Sequence, residues 1–159
     1  MLFVKDNLIT FPVSGFCFSE KTEIFCVELN LRKQKWLIFC CYNPHKHLIK
    51  GHLQQIKNAI DFCSKSYENI ILIGDFNVEI SDSHMDSFCA IYHLKSLIKE
   101  PTCNKNPEKP ACIDLILTDC PRQFQATLTL ETGLSDFRKM TVAAFKSEFP
   151  HQKPKMISY

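Results

Sequence analysis

The sequence predicts a mixed α/β fold, because strand and helix patterns alternate along a chain of globular composition. Residues 35–42 and 70–74 are apolar runs typical of buried strands. The segment between them has its apolar residues three or four positions apart, at Ile49, Leu53, Ile56, Ile60 and Cys63. A strand–helix–strand order needs a crossover connection, and we therefore expect the two strands to pair in parallel.

The other elements follow from the same patterns. A charged turn, Arg32-Lys33-Gln34-Lys35, precedes strand 35–42, where a solvated hairpin tip is the expectation and phosphate contact the alternative. Ser81 or Asp82 can cap a second helix whose Met85, Phe88 and Tyr92 share one face. Further strands are predicted at residues 23–29, 113–117, 124–130 and 140–145.

Length and composition favour one packed domain. The chain has 159 residues, and its hydrophobic fraction of 45% and charged fraction of 23% are ordinary for a globular protein. The formal net charge of +2 is too small to indicate nucleic-acid binding by itself. From Glu148 the chain becomes polar, so we expect a domain over residues 1–147 and a linker or tail over residues 148–159.

The nine cysteines indicate neither a disulfide framework nor a zinc site. Their number is odd, and none forms a Cys-x-x-Cys pair. We therefore expect free cysteines that behave as small hydrophobic residues, in a reducing intracellular compartment with the nucleus among the candidates. The N-terminal apolar run is interrupted at once by Lys5 and Asp6, so neither a secretory signal nor a membrane span is expected.

The segment Ile70-Ile71-Leu72-Ile73-Gly74-Asp75-Phe76-Asn77 is the most informative in the chain. An apolar strand ends abruptly in a carboxylate and an amide, at the edge where open α/β sheets bind ligands. Asp75 and Asn77 alternate across Phe76, so an extended backbone would place both side chains on one side. Such a pair suits a water molecule and a phosphate oxygen. The alternative is a strand followed by an ordinary Asx turn.

Four short motifs occur together and in order. They are Gly-Asp-Phe-Asn at 74–77, Pro-Thr at 101–102, Ile-Asp-Leu-Ile at 113–116 and Gly-Leu-Ser-Asp at 133–136. With Tyr42 at the end of strand 35–42, they resemble the endonuclease/exonuclease/phosphatase superfamily, and most of all the endonuclease domains of non-LTR (LINE-type) retrotransposons. The resemblance implies a four-layer α/β sandwich, in which two mixed sheets are flanked by helices.

The resemblance also implies roles for five residues. Asp75 would activate the attacking water, Asn77 would hold this water or the phosphate, and Tyr42 would donate to a phosphate oxygen. Asp114 would orient a histidine, and Asp136 would lie beside that histidine near a Mg²⁺ or Mn²⁺ ion. The implied activity is metal-dependent nicking of DNA, in proteins whose full-length relatives also carry a reverse transcriptase. Without the resemblance, Tyr42 could equally anchor a strand end through its hydroxyl.

Departures from the family pattern make the activity of this chain doubtful. The family's opening strands, with an asparagine and a metal-binding glutamate, have no counterpart before Trp36, so we expect an N-terminally truncated domain. The family histidine is replaced in Ser135-Asp136-Phe137-Arg138, where Arg138 could pair with Asp114 instead. Two alternatives follow: weak DNA endonuclease activity, or an inactive retroelement remnant that at most binds nucleic acid. A lipid phosphodiesterase of the same superfamily is a more distant alternative.

Three histidines, His45, His47 and His52, cluster in what we expect to be a loop just before the predicted helix. Histidines can bind metals, but we expect these three to face solvent without a ligand role.

Overall fold

The computed structural model describes residues 10–13, 23–31, 33–63, 67–131, 133 and 139–146. Its elements, in chain order, are β1 (Thr10–Pro12), β2 (Glu23–Leu31), β3 (Gln34–Tyr42), α1 (Ile49–Cys63), β4 (Asn69–Asp75), α2 (Ser83–Ile91), β5 (Lys95–Ser96), β6 (Asp114–Thr118), β7 (Phe124–Leu130) and β8 (Met140–Phe145). Short 3-10 turns occupy Lys46–Leu48 and Pro121–Gln123. Every predicted helix and strand is confirmed, with strand ends shifted by no more than two residues. The short strands β1 and β5 had not been predicted.

The first sheet has six strands in the order β1-β2-β3-β4-β6-β5. Strands β3 and β4 are parallel and are connected through α1, as the strand–helix–strand order predicts, and the other neighbours are antiparallel. Leu31 pairs with Gln34, so β2 and β3 form the predicted hairpin, with Lys33 at its tip. At this tip Lys33 adopts a positive φ of 65°.

Each helix buries one of its faces, and α2 begins at a capping residue. In α1 the buried residues follow helical spacing, at Ile49, His52, Leu53, Ile56, Ala59, Ile60 and Cys63. Asp82 caps α2, because its side chain accepts a hydrogen bond from the backbone N–H of His84 at 3.0 Å. Within α2, Met85, Phe88 and Cys89 are buried, while Tyr92 follows the last turn and is half-buried.

The core lies on both faces of the first sheet. On one face Phe39, Leu72 and Leu117 pack with the apolar sides of α1 and α2. On the other face Trp36 and its neighbours pack against the second sheet, in which β7 and β8 pair antiparallel. The structure is therefore a sandwich with two sheets, and a helix layer covers the first of them. Within the described ranges, no helix covers the outer face of the second sheet.

Aromatic contacts hold the second sheet against the first. The ring of Phe145 in β8 meets Trp36 edge-on at 5.2 Å between centroids, and it lies 4.4 Å from the ring of Phe124 in β7. Trp36 is completely buried. Burial of such large rings contributes much of the stabilisation available to a small sandwich.

The described cysteines are free, and most are buried in the core. Burial raises the pKa of the Cys26 and Cys41 thiols, which keeps both protonated and unreactive. This environment agrees with the expectation that they act as small hydrophobic residues. No helix among the described residues has the length and apolarity needed to cross a membrane. The predicted tail, 148–159, lies outside the described residues.

Candidate functional site

Three of the five predicted site residues lie side by side across neighbouring strands. Tyr42, the last residue of β3, pairs with Asp75, the last residue of β4. Asp75 in turn pairs with Asp114, the first residue of β6. Because β6 runs antiparallel to β4, its first residue lies at the same edge of the sheet as the ends of the two parallel strands. The pairing register thus brings together residues that are 72 positions apart in the sequence, from 42 to 114.

The three side chains also share one face. Asp75 follows Ile71 and Ile73 at a period of two along β4, and both isoleucines pack on the face of the second sheet. The same alternation relates Asp114 to Ile116 in β6, and Tyr42 to Trp36 in β3. The site therefore lies at the edge of the face that packs against the second sheet. At this edge the apolar residues of β3, β4 and β6 give way to polar ones.

Asp75 and Asp114 form the close type of antiparallel pair. The backbone N–H of Phe76 donates to the carbonyl oxygen of Ile113 at 2.9 Å, so these flanking residues form the hydrogen-bonded pair. The adjacent Asp75–Asp114 pair is then non-hydrogen-bonded, an arrangement in which Cα atoms are typically about 4.5 Å apart. Two carboxylates at this separation favour a cation or a proton donor between them.

Asn77 ends the strand segment in a tight turn. Its φ is 51°, a left-handed conformation that asparagine tolerates better than most residues. The carboxylate Oδ1 of Asp75 accepts a hydrogen bond from the Asn77 backbone N–H at 3.0 Å. This is the Asx turn that the alternative interpretation predicted. The turn by itself explains an aspartate at position 75 and an asparagine at position 77. The turn engages Oδ1 of Asp75, and Asn77 remains half-buried next to it.

Tyr42 is oriented toward solvent. Its side chain is 42% exposed, and its hydroxyl forms no hydrogen bond with another described residue. The strand-anchor alternative predicts a bond from this hydroxyl to a backbone carbonyl, which is not observed in the described part of the chain. The phenol at this position is therefore accessible to solvent.

Thr102 is a further residue of this site, and its role is not evident from the sequence. It is completely buried, and its Oγ1 accepts hydrogen bonds from the backbone N–H groups of Ile113 at 3.1 Å and Asp114 at 3.0 Å. The two donors lie at the start of β6, which begins at Asp114. The Thr102 hydroxyl therefore holds the backbone in place where the strand begins. The sequence contains the Pro-Thr motif at 101–102, but a two-residue motif does not show that the threonine hydroxyl accepts hydrogen bonds from the backbone of a distant strand.

Asp136 lies outside the described residues, as do Ser135 and Arg138. Its convergence with the other four residues therefore stays a prediction, and so does the pairing of Asp114 with Arg138.

The prediction that His52 faces solvent was wrong. His52 lies inside α1 and is only 4% exposed, with its ring 6.3 Å from that of Phe76. It is i+3 from Ile49, on the apolar face of the helix, and this spacing could have revealed its burial. His45 and His47 are exposed as expected, with their rings stacked at 5.5 Å. In the described part of the chain, no three side chains of the metal-binding types cluster together.

Comparisons with known proteins support the fold. No protein-family model matches the chain, and no curated protein matches it. Among solved structures, it is similar to the endonuclease domain of TRAS1, a telomere-specific non-LTR retrotransposon. That alignment has a TM-score of 0.70 and 15% identity, and it covers 91% of this chain and 72% of the TRAS1 domain. This chain has the endonuclease/exonuclease/phosphatase fold.

Two further structures agree with this fold. An endonuclease/exonuclease/phosphatase family protein from Leptotrichia buccalis aligns with a TM-score of 0.60 at 14% identity, over 78% of this chain and 53% of that protein. The catalytic domain of human nocturnin, solved with a bound sulfate anion, aligns with a TM-score of 0.59 at 14% identity, over 86% of this chain and 57% of that domain. The chain thus spans little more than half the length of these two structures.

Proposed function

We propose that this chain is a metal-dependent phosphodiesterase of the DNA endonuclease type, with a low rate of hydrolysis. The observation that carries the proposal is the register that places Tyr42, Asp75 and Asp114 side by side at one edge of the sandwich. The similarity to the TRAS1 endonuclease domain supports DNA as the substrate. The combination of two neighbouring carboxylates, Asp75 and Asp114, with the exposed phenol of Tyr42 suits phosphodiester hydrolysis.

The chain's own groups can perform part of the reaction. The carboxylate of Asp75 would accept a proton from the attacking water, while its Oδ1 also accepts the backbone N–H of Asn77 and so keeps the turn in place. The side-chain carbonyl of Asn77 would orient the same water, because its amide nitrogen is already bound to the carbonyl oxygen of Asn43 at 2.7 Å. Tyr42 would donate to a phosphate oxygen as charge develops there.

A divalent metal ion would complete the charge balance. Mg²⁺ is commonly held by one or two protein carboxylates, with water and substrate phosphate as the other ligands. Asp75 and Asp114 supply two neighbouring carboxylates at this edge, and Asp136 is the third candidate by resemblance. When bound, the ion would neutralise charge on the phosphate oxygens.

The low rate follows from the sequence. Ser135-Asp136-Phe137-Arg138 contains no histidine where the family has its general acid/base group. Loss of such a group commonly costs about 10²–10⁴-fold in rate. This same observation favours a second candidate, a catalytically inactive fold of retroelement origin that binds nucleic acid through the same edge.

Nicking of supercoiled plasmid in Mg²⁺ tests the proposal. We expect nicking by the purified chain to be slow, and the Asp75→Asn variant to abolish what remains. Asp86→Asn, an exposed carboxylate in α2, is the matched control and should leave the rate unchanged. DNA binding without any nicking would favour the inactive candidate. Hydrolysis of a phosphoinositide or sphingolipid in place of DNA would overturn both.

A further inference from the structure

Asn43 is the residue immediately after β3, and its side chain is completely buried. A buried amide group must find hydrogen-bond partners, or it destabilises the folded state. Asn43 also precedes Pro44, which disfavours a helical backbone and keeps the chain extended past the end of the strand. The residue therefore continues beside the segment that follows β4.

Each of three hydrogen bonds connects Asn43 to a different residue of the segment 75–77. The backbone N–H of Asn43 donates to the carbonyl oxygen of Asp75 at 2.8 Å. Its side-chain Nδ2 donates to the carbonyl oxygen of Phe76 at 2.8 Å. Its own carbonyl oxygen accepts from Nδ2 of Asn77 at 2.7 Å.

These bonds determine which way the turn faces. Phe76 is completely buried against the helix layer, so its peptide group passes through the interior and needs an internal partner. Nδ2 of Asn43 supplies that partner. With Phe76 held in the core, the neighbouring side chains of Asp75 and Asn77 are held at the edge beside Tyr42.

We infer that Asn43 is the positioning residue of the candidate site, which holds the segment Asp75–Asn77 level with Tyr42 and Asp114. The effect of Asn43 on catalysis rests on the proposed function. Its effect on the position of the segment Asp75–Asn77 can be measured without any activity. A displacement of the reacting groups by about 1 Å can reduce catalysis about 100-fold, so a residue with this role acts on function without touching substrate.

Two variants and one control test the inference in the full chain. Asn43→Ala removes the Nδ2 donor. Asn43→Asp keeps the shape of the side chain but replaces the donor with a carboxyl group. Asn69→Ala is the matched control, because Asn69 is also a buried asparagine but lies at the opposite end of β4.

The first measurement is amide hydrogen-exchange protection at Phe76 and Asn77. A buried carbonyl that loses its donor should lower this protection about tenfold in Asn43→Ala relative to Asn69→Ala. In Asn43→Asp, protection should be low when the new carboxyl group is ionised and restored at acid pH, when the protonated group can donate to Phe76. His52, Asp75 and Asp114 are the ionisable groups near this segment, and all three are present in the wild type as well, so the difference from the wild type isolates the new group.

The second measurement is the affinity for a labelled DNA duplex in Mg²⁺. We expect Asn43→Ala to bind about tenfold more weakly than Asn69→Ala. Equal exchange protection in the two alanine variants, or a local loss of protection with unchanged DNA affinity, would overturn the inference. A wild-type chain that binds no DNA would contradict the proposed function instead, and the pH-dependent restoration in Asn43→Asp would then decide the placement alone. If Asn43→Ala fails to fold, the Asn43→Asp profile carries the test.

Discussion

The carbonyl oxygen of Cys41 lies 1.8 Å from the position that a Cβ atom would occupy at Gly74. The two residues are partners in the parallel β3–β4 register, one position before the candidate site. Gly74 also has a φ of 156°, at the limit of the conformations that favour glycine. The close approach of two backbones is therefore possible only with a hydrogen at this position.

Gly74→Ala should strongly destabilise the fold, because the clash is with backbone and no side chain can move aside. We expect the free energy of unfolding to fall by about 3 kcal/mol or more. Gly51→Ala is the control, since a Cβ atom there meets nothing within 4 Å in α1. It should stabilise the protein by about 0.5–1 kcal/mol. Urea denaturation measures both, and similar effects of the two substitutions would contradict the close approach.

Periodicity explains why the main elements could be predicted from sequence. The apolar residues of α1 occur at helical spacing, and the strands end at Asp75 and Tyr42 where apolar runs stop. Strand β5 has two residues, too few for a periodic signal. The pairing of Asp75 with both Tyr42 and Asp114 depends on the register between strands, which no single segment encodes. Asn43 and Thr102 were missed because a hydrogen bond between a buried polar side chain and the backbone leaves no pattern in the sequence.

Thr102→Val should weaken the start of β6. The substitution keeps the shape of the side chain but leaves the N–H groups of Ile113 and Asp114 without their acceptor. Because unsatisfied donors in protected positions are costly, we expect a loss of about 2 kcal/mol in the free energy of unfolding. Thr127→Val in β7 is an exposed control and should change stability by less than about 0.5 kcal/mol. Equal denaturation midpoints for the two variants would rule out the capping role of Thr102.

His52 should make the stability of the protein depend on pH. Desolvation by burial lowers its pKa from 6.5 to about 4, and its Nε2 has no hydrogen-bond partner among the described residues. Between these two values the unfolded chain binds more protons than the folded protein. The contribution of neutral His52 to the free energy of unfolding is therefore fully present above pH 6.5 and is lost as the pH falls toward 4. The loss from this group amounts to at most about 3 kcal/mol.

The variant His52→Leu isolates this contribution, because an apolar residue at a buried helix position cannot titrate. The free energy of unfolding of the variant should fall less steeply than that of the wild type between pH 6.5 and 4. His47→Ala, at an exposed position, should keep the wild-type slope. Identical slopes for the wild type and His52→Leu would show that the buried imidazole does not govern acid sensitivity.

The outer face of the second sheet should make the chain prone to aggregate. Leu128 pairs with Val142 and Leu130 with Met140, which places these four side chains on the face opposite the core. Leu128, Leu130 and Met140 are 42%, 40% and 49% exposed. A contiguous apolar face on a two-stranded sheet favours association and the binding of hydrophobic dyes.

The double variant Leu128→Thr with Leu130→Thr tests this directly. Threonine keeps the strand propensity but removes apolar area, so dye fluorescence should fall and the soluble fraction should rise. Ile91→Lys in α2 is the control, because Ile91 is 62% exposed but lies on the helix layer instead of the second sheet. It should change dye binding little. A wild-type chain that is monomeric, melts cooperatively and binds no dye would show that this face is not a source of association.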